Sequence, residues 1–181
     1  MKELKLIPPT DKLVTTPLAP FKNDMLEEHD FKDRKELSDA MFEAMKKNGG
    51  IGLSANQVGL PFNMFVLGDN PQLEKGLKMT CFNPMIISSS EETIVMKEGC
   101  LTYPFLFLSI TRPRKVVAKY EDENGDLQEA HLDGIISRVF QHEYDHMIGK
   151  VFTQYASKLK LDMATKKAEK YIEQYKNETR I

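Results

Sequence analysis

The sequence predicts an α+β fold, in which short antiparallel strands surround a central helix and other helices lie towards the two ends of the chain. Three observations favour this class. Apolar residues recur at helical spacing before and after the middle of the chain, whereas within it they alternate with polar residues. The clearest alternating pair is joined by Asn124-Gly125, which suits an antiparallel hairpin. The length of 181 residues favours one domain with a short tail.

The composition is that of a globular protein without a strong charge bias. Apolar residues make up 41%, charged residues 29%, and the formal net charge is −2. These values do not indicate DNA binding, and no apolar run approaches the roughly 18 residues of a membrane span. The N-terminus lacks the features of a signal or transit peptide, so we expect a cytoplasmic protein without a membrane partner. In that compartment Cys81 and Cys100 are expected to stay reduced.

The N-terminal third is expected to hold one helix. Four prolines in the first thirty residues predict extended or irregular chain. Residues 30–50 then show helical spacing and end at Gly49-Gly50. The glycine-containing segment 49–61 is expected to be a loop.

The middle of the chain is expected to form strands. Residues 62–68 and 79–87 are the first two, and Pro84 predicts that the second is an edge strand or a bulged one. A third short strand is expected to end in a turn at Gly99. Residues 114–132 predict the hairpin.

Two helices are expected to follow the hairpin. The first has Asp133 as a plausible N-cap and Gly149 as a plausible stop, and one face carries Ile135, Val139, His142 and His146. The second forms the tail, residues 157–181, with an apolar stripe at Leu161, Ala164, Ala168, Ile172 and Tyr175. We therefore divide the chain into a catalytic domain, 1–156, and a C-terminal amphipathic helix, 157–181.

The first of these helices carries the pattern H-E-x-x-H, from His142 to His146. Residues four apart lie on one helix face, so both imidazoles can bind one cation. Glu143 is rotated by roughly 100° and can reach a water activated by that metal without being a ligand. The alternative is two hydrogen-bonded histidines on a half-buried helix. Both histidines continue the apolar stripe and point inward, which favours the metal.

A catalytic metal site usually has a third protein ligand, and several residues compete for that place. A third histidine at the spacing used by one protease class is absent, because Phe152 stands there. Glu169 and Glu173 lie among lysines and suit a solvated surface. Cys100 offers a thiolate, although it could equally be a small buried apolar residue, as we expect for Cys81.

Three segments, in order, resemble the peptide deformylase family. They are Gly50–Gln57 (GIGLSANQ), Glu98–Leu101 (EGCL) and Gln141–His146 (QHEYDH). The similarity extends to the elements around them and to Arg112-Pro113, and it covers essentially the whole chain. The ordered set is far more specific than any one motif. By itself, segment 50–57 would suit a simple helix end.

The resemblance implies that Cys100, His142 and His146 bind one divalent metal ion. Members of the family use iron(II) natively and also work with zinc, nickel or cobalt. The implied reaction removes the N-formyl group from the N-terminal formylmethionine of nascent polypeptides and releases formate. An H-E-x-x-H endopeptidase, which has no need of Cys100, is the alternative enzyme. An inactive metal-binding domain is the non-enzymatic alternative, and it would need neither Glu143 nor Gln57.

The catalytic roles also follow from the resemblance. Glu143 corresponds to the general acid and base. The side chain of Gln57 and the backbone N–H of Leu101 correspond to the donors that bind the developing oxyanion. Such donors stabilise the charge that appears when an amide is attacked.

Substrate-binding residues are expected on both sides of these groups. The backbone near Gly50, Ile51 and Gly52 is expected to approach an extended formylmethionyl peptide and pair with it like an added strand. Ile135 and Val139 lie on the histidine face of their helix. We expect them to form part of an apolar pocket for the methionine side chain, although they could be plain core residues.

The match to the family departs from its pattern at two places. Ser54 stands where alanine is most common, and its small size should preserve the loop. Phe107 stands near the place of an arginine, which predicts altered preference beyond the first substrate residue but intact catalysis.

The tail, with seven Lys or Arg and four Asp or Glu, is expected either to pack on the domain or to dock on the ribosome, as in some deformylases.

Overall fold

The computed structural model describes residues 2–178, and its strands form two antiparallel sheets. The larger sheet has the order β1-β2-β3-β6-β7, and β4 pairs with β5 in a separate hairpin. The strands are β1 (Gly52–Ser54), β2 (Met64–Gly68), β3 (Lys78–Ser89), β4 (Thr93–Cys100), β5 (Tyr103–Pro113), β6 (Lys115–Glu121) and β7 (Leu127–Asp133). The helices are α1 (Met25–Glu28), α2 (Arg34–Lys47), α3 (Gly134–Met147) and α4 (Lys158–Glu178). The predicted α+β class is confirmed.

Helix α3 lies between the two sheets and is the central element. On one side it packs against the larger sheet, where the rings of Phe140 and Phe65 meet edge to face at 5.0 Å. Both rings are fully buried. Burying two such side chains contributes several kcal/mol and fixes the rotation of α3. The opposite face of α3 therefore points at the β4–β5 hairpin.

The predictions for the hairpin and its following helix are confirmed. Strands β6 and β7 pair from Lys115↔Asp133 to Glu121↔Leu127, and α3 ends before Gly149, whose φ of +73° favours glycine. Asp133 occupies the N-cap position without capping the helix by its side chain. Its carboxylate instead accepts a hydrogen bond from Arg114 Nε at 3.0 Å.

Of two predictions about strands, one is confirmed and one is wrong. β3 was expected to be an edge strand or a bulged one, and it is bulged: it continues through Pro84 with a bulge between Phe82 and Met85 and lies between β2 and β6. Gly99 makes no turn, because β4 runs on to Cys100 and the chain turns at the next two residues.

Two strands were also missed, β1 within the predicted loop and β5. In β5, apolar residues point both outwards and inwards and a buried arginine interrupts the inner row, so the alternation that marks a strand is lost. The N-terminal segment is mostly irregular, as predicted, but includes a 3-10 turn at Lys12–Thr15 and the short α1.

Helix α4 packs on the outside of β5. Ala168 is buried there, and Leu161 and Ala164 are partly buried against Leu106 and Leu108. The helix thus has an inner face on its own domain. Residues 179–181 of the predicted tail lie outside the described residues. None of the described helices is long and apolar enough to cross a membrane.

Candidate active site and metal centre

A cavity of about 980 Å³ separates β1 from the β4–β5 hairpin, and α3 forms its floor. Strand β1 is the edge of the larger sheet, and β4 pairs on one side only within residues 2–178. Two strand edges therefore border the cavity. Its walls include every residue expected to bind substrate, namely Gly50, Ile51, Gly52, Ile135 and Val139. Val139 is 5% exposed and Ile135 43% exposed.

Three side chains that could hold a metal ion converge beside this cavity. The donor atoms of Cys100, His142 and His146 lie within 4.8 Å of one another. Cys100 Sγ is 3.5 Å from His146 Nε2. One thiolate and two imidazoles suit zinc or iron(II). The alternative ligands Glu169 and Glu173 do not approach the site, since both are exposed on the surface of α4.

The two histidines are available as ligands for different reasons. His142 Nδ1 lies 3.0 Å from Glu98 Oε2, which leaves Nε2 free for a metal. Burial lowers the pKa of His142, but hydrogen bonds to Cys100 and Glu98 outweigh it, and the pKa is raised well above its usual value. Burial lowers the pKa of His146 well below its usual value, so this imidazole is neutral. A metal ion held here would take the place of a proton on His142.

Glu98 is itself held by two buried arginines. Arg112 donates to both of its carboxylate oxygens, at 2.7 and 3.0 Å, and Arg138 Nη1 donates to Oε1 at 2.6 Å. Burial raises the pKa of Glu98, but hydrogen bonds from His142 and Arg112 lower it to about 2. Arg112 also donates to Asp145 at 2.6 Å. The charged network thus joins β4, β5 and α3 beside His142, one of the candidate metal ligands.

Glu143 points from α3 into the cavity wall. It is 4% exposed, and its Oε2 has no hydrogen-bond partner within the described residues. Burial raises its pKa to about 7, and the charge of Glu98 adds to this against the opposing effect of His142. A carboxyl group whose pKa lies near neutrality can both take and return a proton.

Gly52 makes room for that carboxylate. A Cβ atom at Gly52 would lie 2.6 Å from Glu143 Oε1 and 2.8 Å from Val139 Cγ1. Likewise, a Cβ at Gly50 would lie 2.7 Å from Leu101 Cδ1. The sequence predicted that Gly50 and Gly52 let a peptide approach the backbone. Both positions also need glycine because a Cβ atom would come too close to a neighbouring side chain.

The side chain of Gln57 is fixed at both ends. Its Oε1 accepts hydrogen bonds from the backbone N–H of Ser54, at 3.0 Å, and from the Ser54 hydroxyl, at 2.8 Å. Its Nε2 consequently points at Thr102 Oγ1, 2.9 Å away, and at Cys100 Sγ, 3.2 Å away. An N–H donor is thereby directed towards Cys100, a candidate metal ligand.

The sequence-predicted residues come together in one place. Cys100, Gln57, Leu101, His142 and Glu143 all line the same cavity, while His146 lies behind them. Cys81 is fully buried in the core, as expected.

Sequence reasoning assigned no role to Glu98, Arg112, Arg138 or Thr102. Buried charged residues look like surface charges in a sequence. Only the position of Glu98, two residues before Cys100 and so on the same strand face, could have indicated its role.

The comparisons with known proteins all lead to the same family. Residues 11–162 match the sequence profile of the family described as polypeptide deformylase. A peptide deformylase of Rhizobium meliloti is 34% identical over 92% of this chain and 91% of its own. One from Wolbachia sp. subsp. Brugia malayi is 39% identical over 78% of this chain and 83% of its own.

Solved structures agree with the sequence comparison. A peptide deformylase from Ehrlichia chaffeensis in complex with actinonin has a TM-score of 0.80 and 34% identity, covering 94% of this chain and 98% of its own. One from Legionella pneumophila has a TM-score of 0.82 and 29% identity, with 96% and 98% covered.

Proposed function

Because this chain belongs to the polypeptide deformylase family, it is a metal-dependent hydrolase that removes the N-formyl group from nascent polypeptides, and we propose which of its residues do so. We assign the metal ion to Cys100, His142 and His146. The family is metal-dependent, and the three donors fit such an ion because they converge and His142 is oriented by Glu98. We propose iron(II) as the native ion, with zinc, nickel or cobalt as substitutes.

Cys100, His142 and His146 would hold the metal ion, which would supply Lewis acidity to activate a water molecule and polarise the formyl carbonyl. In our proposal Glu143 accepts a proton as that water attacks the formyl carbon. Gln57 Nε2 and the Leu101 backbone N–H donate to the developing oxyanion. When the carbon–nitrogen bond breaks, Glu143 returns the proton to the departing α-amino nitrogen. The products are formate and a free N-terminus, and no covalent enzyme intermediate is required.

The peptide is proposed to lie extended between the edges of β1 and β4. Backbone pairing near Ile51 and Gly52 would bind it without recognising side chains. The methionine side chain would contact Ile135 and Val139 on α3, which reach the same cavity as Glu143. We expect actinonin, which is bound by the Ehrlichia chaffeensis enzyme, to occupy this cavity too.

Glu143 carries the proposal, because a buried carboxylate with a raised pKa and an unpartnered oxygen suits proton transfer and not structural support. The test is formate release from formyl-Met-Ala-Ala-Ala by protein purified anaerobically, with its metal measured. Glu143→Gln should keep the metal and lose at least about 1,000-fold in kcat. Exposed Glu91→Gln is the matched control. A Glu143→Gln enzyme with ordinary kcat would remove Glu143 from the mechanism.

We also propose that the outer face of α4 docks on the ribosome and that the protein works in the cytoplasm. Lys166 and Lys170 lie two residues to either side of buried Ala168, about 200° around the helix and so facing away from the domain. Lys166→Glu with Lys170→Glu should weaken cosedimentation with ribosomes and flatten its salt dependence. Lys75→Glu, at an exposed position in the loop between β2 and β3, is the control. Unchanged binding would restrict α4 to its packing role.

A further inference from the structure

Phe105 adopts a backbone conformation that its residue type disfavours. It lies in the irregular part of the β4–β5 hairpin, where the pairing jumps from Gly99↔Phe107 to Cys100↔Tyr103. Its φ is +62°, in the left-handed region. A bulky residue is strained in that region, so the surrounding structure must hold it.

Helix α4 holds the ring of Phe105. The ring stacks on Tyr171, with centroids 6.4 Å apart and an interplanar angle of 26°, and it lies 6.0 Å from the ring of Tyr175. Despite these contacts Phe105 is 41% exposed. The contacts with α4 therefore fix the position of the Phe105 ring but leave part of its surface exposed to solvent.

A second cavity of about 360 Å³ opens between the hairpin and α4. We call it the aromatic pocket, and its lining residues are Lys97, Phe105, Phe107, Ala164, Lys167 and Tyr171. Lys97, Phe105 and Phe107 also line the active-site cavity. The two cavities therefore meet along one wall.

The aromatic pocket begins close to the metal ligands. The ring of Phe107 lies over Gly99, where a Cβ atom would be 2.7 Å from Phe107 Cε1, and the next residue is Cys100. Lys97 is three residues before Cys100, which corresponds to about 10 Å along a strand. An extended peptide whose formyl group lies at the metal reaches this distance at its third or fourth residue.

The chemistry of the pocket limits what it can accept. Three aromatic rings form its walls. Lys97 Nζ lies 4.6 Å from the Phe107 ring centroid and Lys167 Nζ 5.8 Å from that of Tyr171. Rings favour another ring, whereas the two ammonium groups repel a basic side chain.

We propose that the aromatic pocket is a downstream substrate subsite, which binds an aromatic side chain at the third or fourth residue of the formylated peptide and disfavours a basic one. It follows that α4 is part of the substrate site. The proposal rests on the proposed function, because it assumes that the active-site cavity binds the formylated end.

The test compares kcat/KM for formyl-Met-Ala-X-Ala and formyl-Met-Ala-Ala-X, with X as Phe, Ala or Lys. At one of these positions we expect Phe to exceed Lys by about tenfold, with Ala between them. No formate from any peptide would reject the proposed function itself. Formate released equally from all of them would reject only the subsite.

Variants test whether the aromatic pocket causes the preference. Phe107→Ala and Tyr171→Leu should bring the Phe-to-Lys ratio close to one. Phe105→Gly should do the same without lowering the melting temperature, because glycine tolerates the left-handed conformation. Lys166→Gln, on the far side of α4, is the matched control and should keep the ratio. A preference that survives Phe107→Ala and Phe105→Gly would overturn the proposal.

Discussion

Glu98 Oε2 lies 3.0 Å from Nδ1 of His142, and the same carboxylate accepts hydrogen bonds from two buried arginines. Glu98 therefore orients a proposed metal ligand and neutralises positive charge at once. We predict that Glu98→Gln weakens metal binding by 10- to 100-fold, the usual effect of removing such a partner. It should also destabilise the fold by about 3–5 kcal/mol, because Arg138 loses the carboxylate that it pairs with and Arg112 keeps only Asp145.

Competition with a chelator measures the metal affinity, and denaturant unfolding measures the stability. The matched control is Glu92→Gln, since Glu92 pairs with Arg114 at 3.0 Å on the surface. That exchange should cost at most about 1 kcal/mol and leave the metal affinity alone. Equal effects of the two substitutions would show that Glu98 does not support the site.

Glu98 also predicts how the metal-free protein responds to acid. Its pKa is about 2 in the folded chain, against 4.5 for the free side chain. The ionised Glu98 therefore contributes about 3 kcal/mol to the free energy of unfolding above about pH 4.5. This contribution is lost as the pH falls towards 2. With chelator present, the free energy of unfolding should fall less steeply over this range in Glu98→Gln than in the wild type. Parallel curves would contradict the assignment.

Much of this arrangement could be predicted from the sequence. The histidines, Glu143 and the hairpin follow from local spacing, because a helix or strand fixes which residues share a face. The strand partners of β3 and the network around Glu98 could not be predicted. They depend on contacts between segments far apart in the chain, and in a sequence Arg112 looks like any surface arginine. Helix spacing alone left the third ligand open, and only the resemblance of segment Glu98–Leu101 to the family assigned it to Cys100.

The close contact at Gly52 predicts a specific loss of activity. In Gly52→Ala the new methyl group would lie 2.6 Å from Glu143 Oε1, so the carboxylate must move. We expect kcat to fall by about 100-fold, the effect of a misplacement near 1 Å, with the metal retained. Gly134→Ala is the control, because it has φ +57° but nothing within 4 Å. It should lose stability and keep kcat, and the same pattern in Gly52→Ala would contradict the prediction.

Thr102 should act through Gln57. Its hydroxyl accepts the hydrogen bond from Gln57 Nε2 at 2.9 Å, so Thr102→Val leaves this amide without one of its partners. We predict a fall in kcat of about tenfold with little change in KM, since the loss concerns the oxyanion donor and not peptide binding. Thr111→Val, at an exposed position in β5, controls for the exchange itself. A rise in KM at constant kcat would assign Thr102 to substrate binding instead.

The two cysteines should respond oppositely to the same substitution. Cys100 is partly exposed beside His146, whereas Cys81 is fully buried among core residues. Cys100→Ala should abolish stoichiometric metal and formate release while leaving the stability of the chelated protein almost unchanged. Cys81→Ala should keep the metal and lose about 1–2 kcal/mol, because it leaves a small cavity in the core. Metal analysis of both variants measures the metal content, and denaturant unfolding measures the stability. If Cys100→Ala bound metal normally, the third ligand would have to be sought elsewhere and the proposed centre would be wrong.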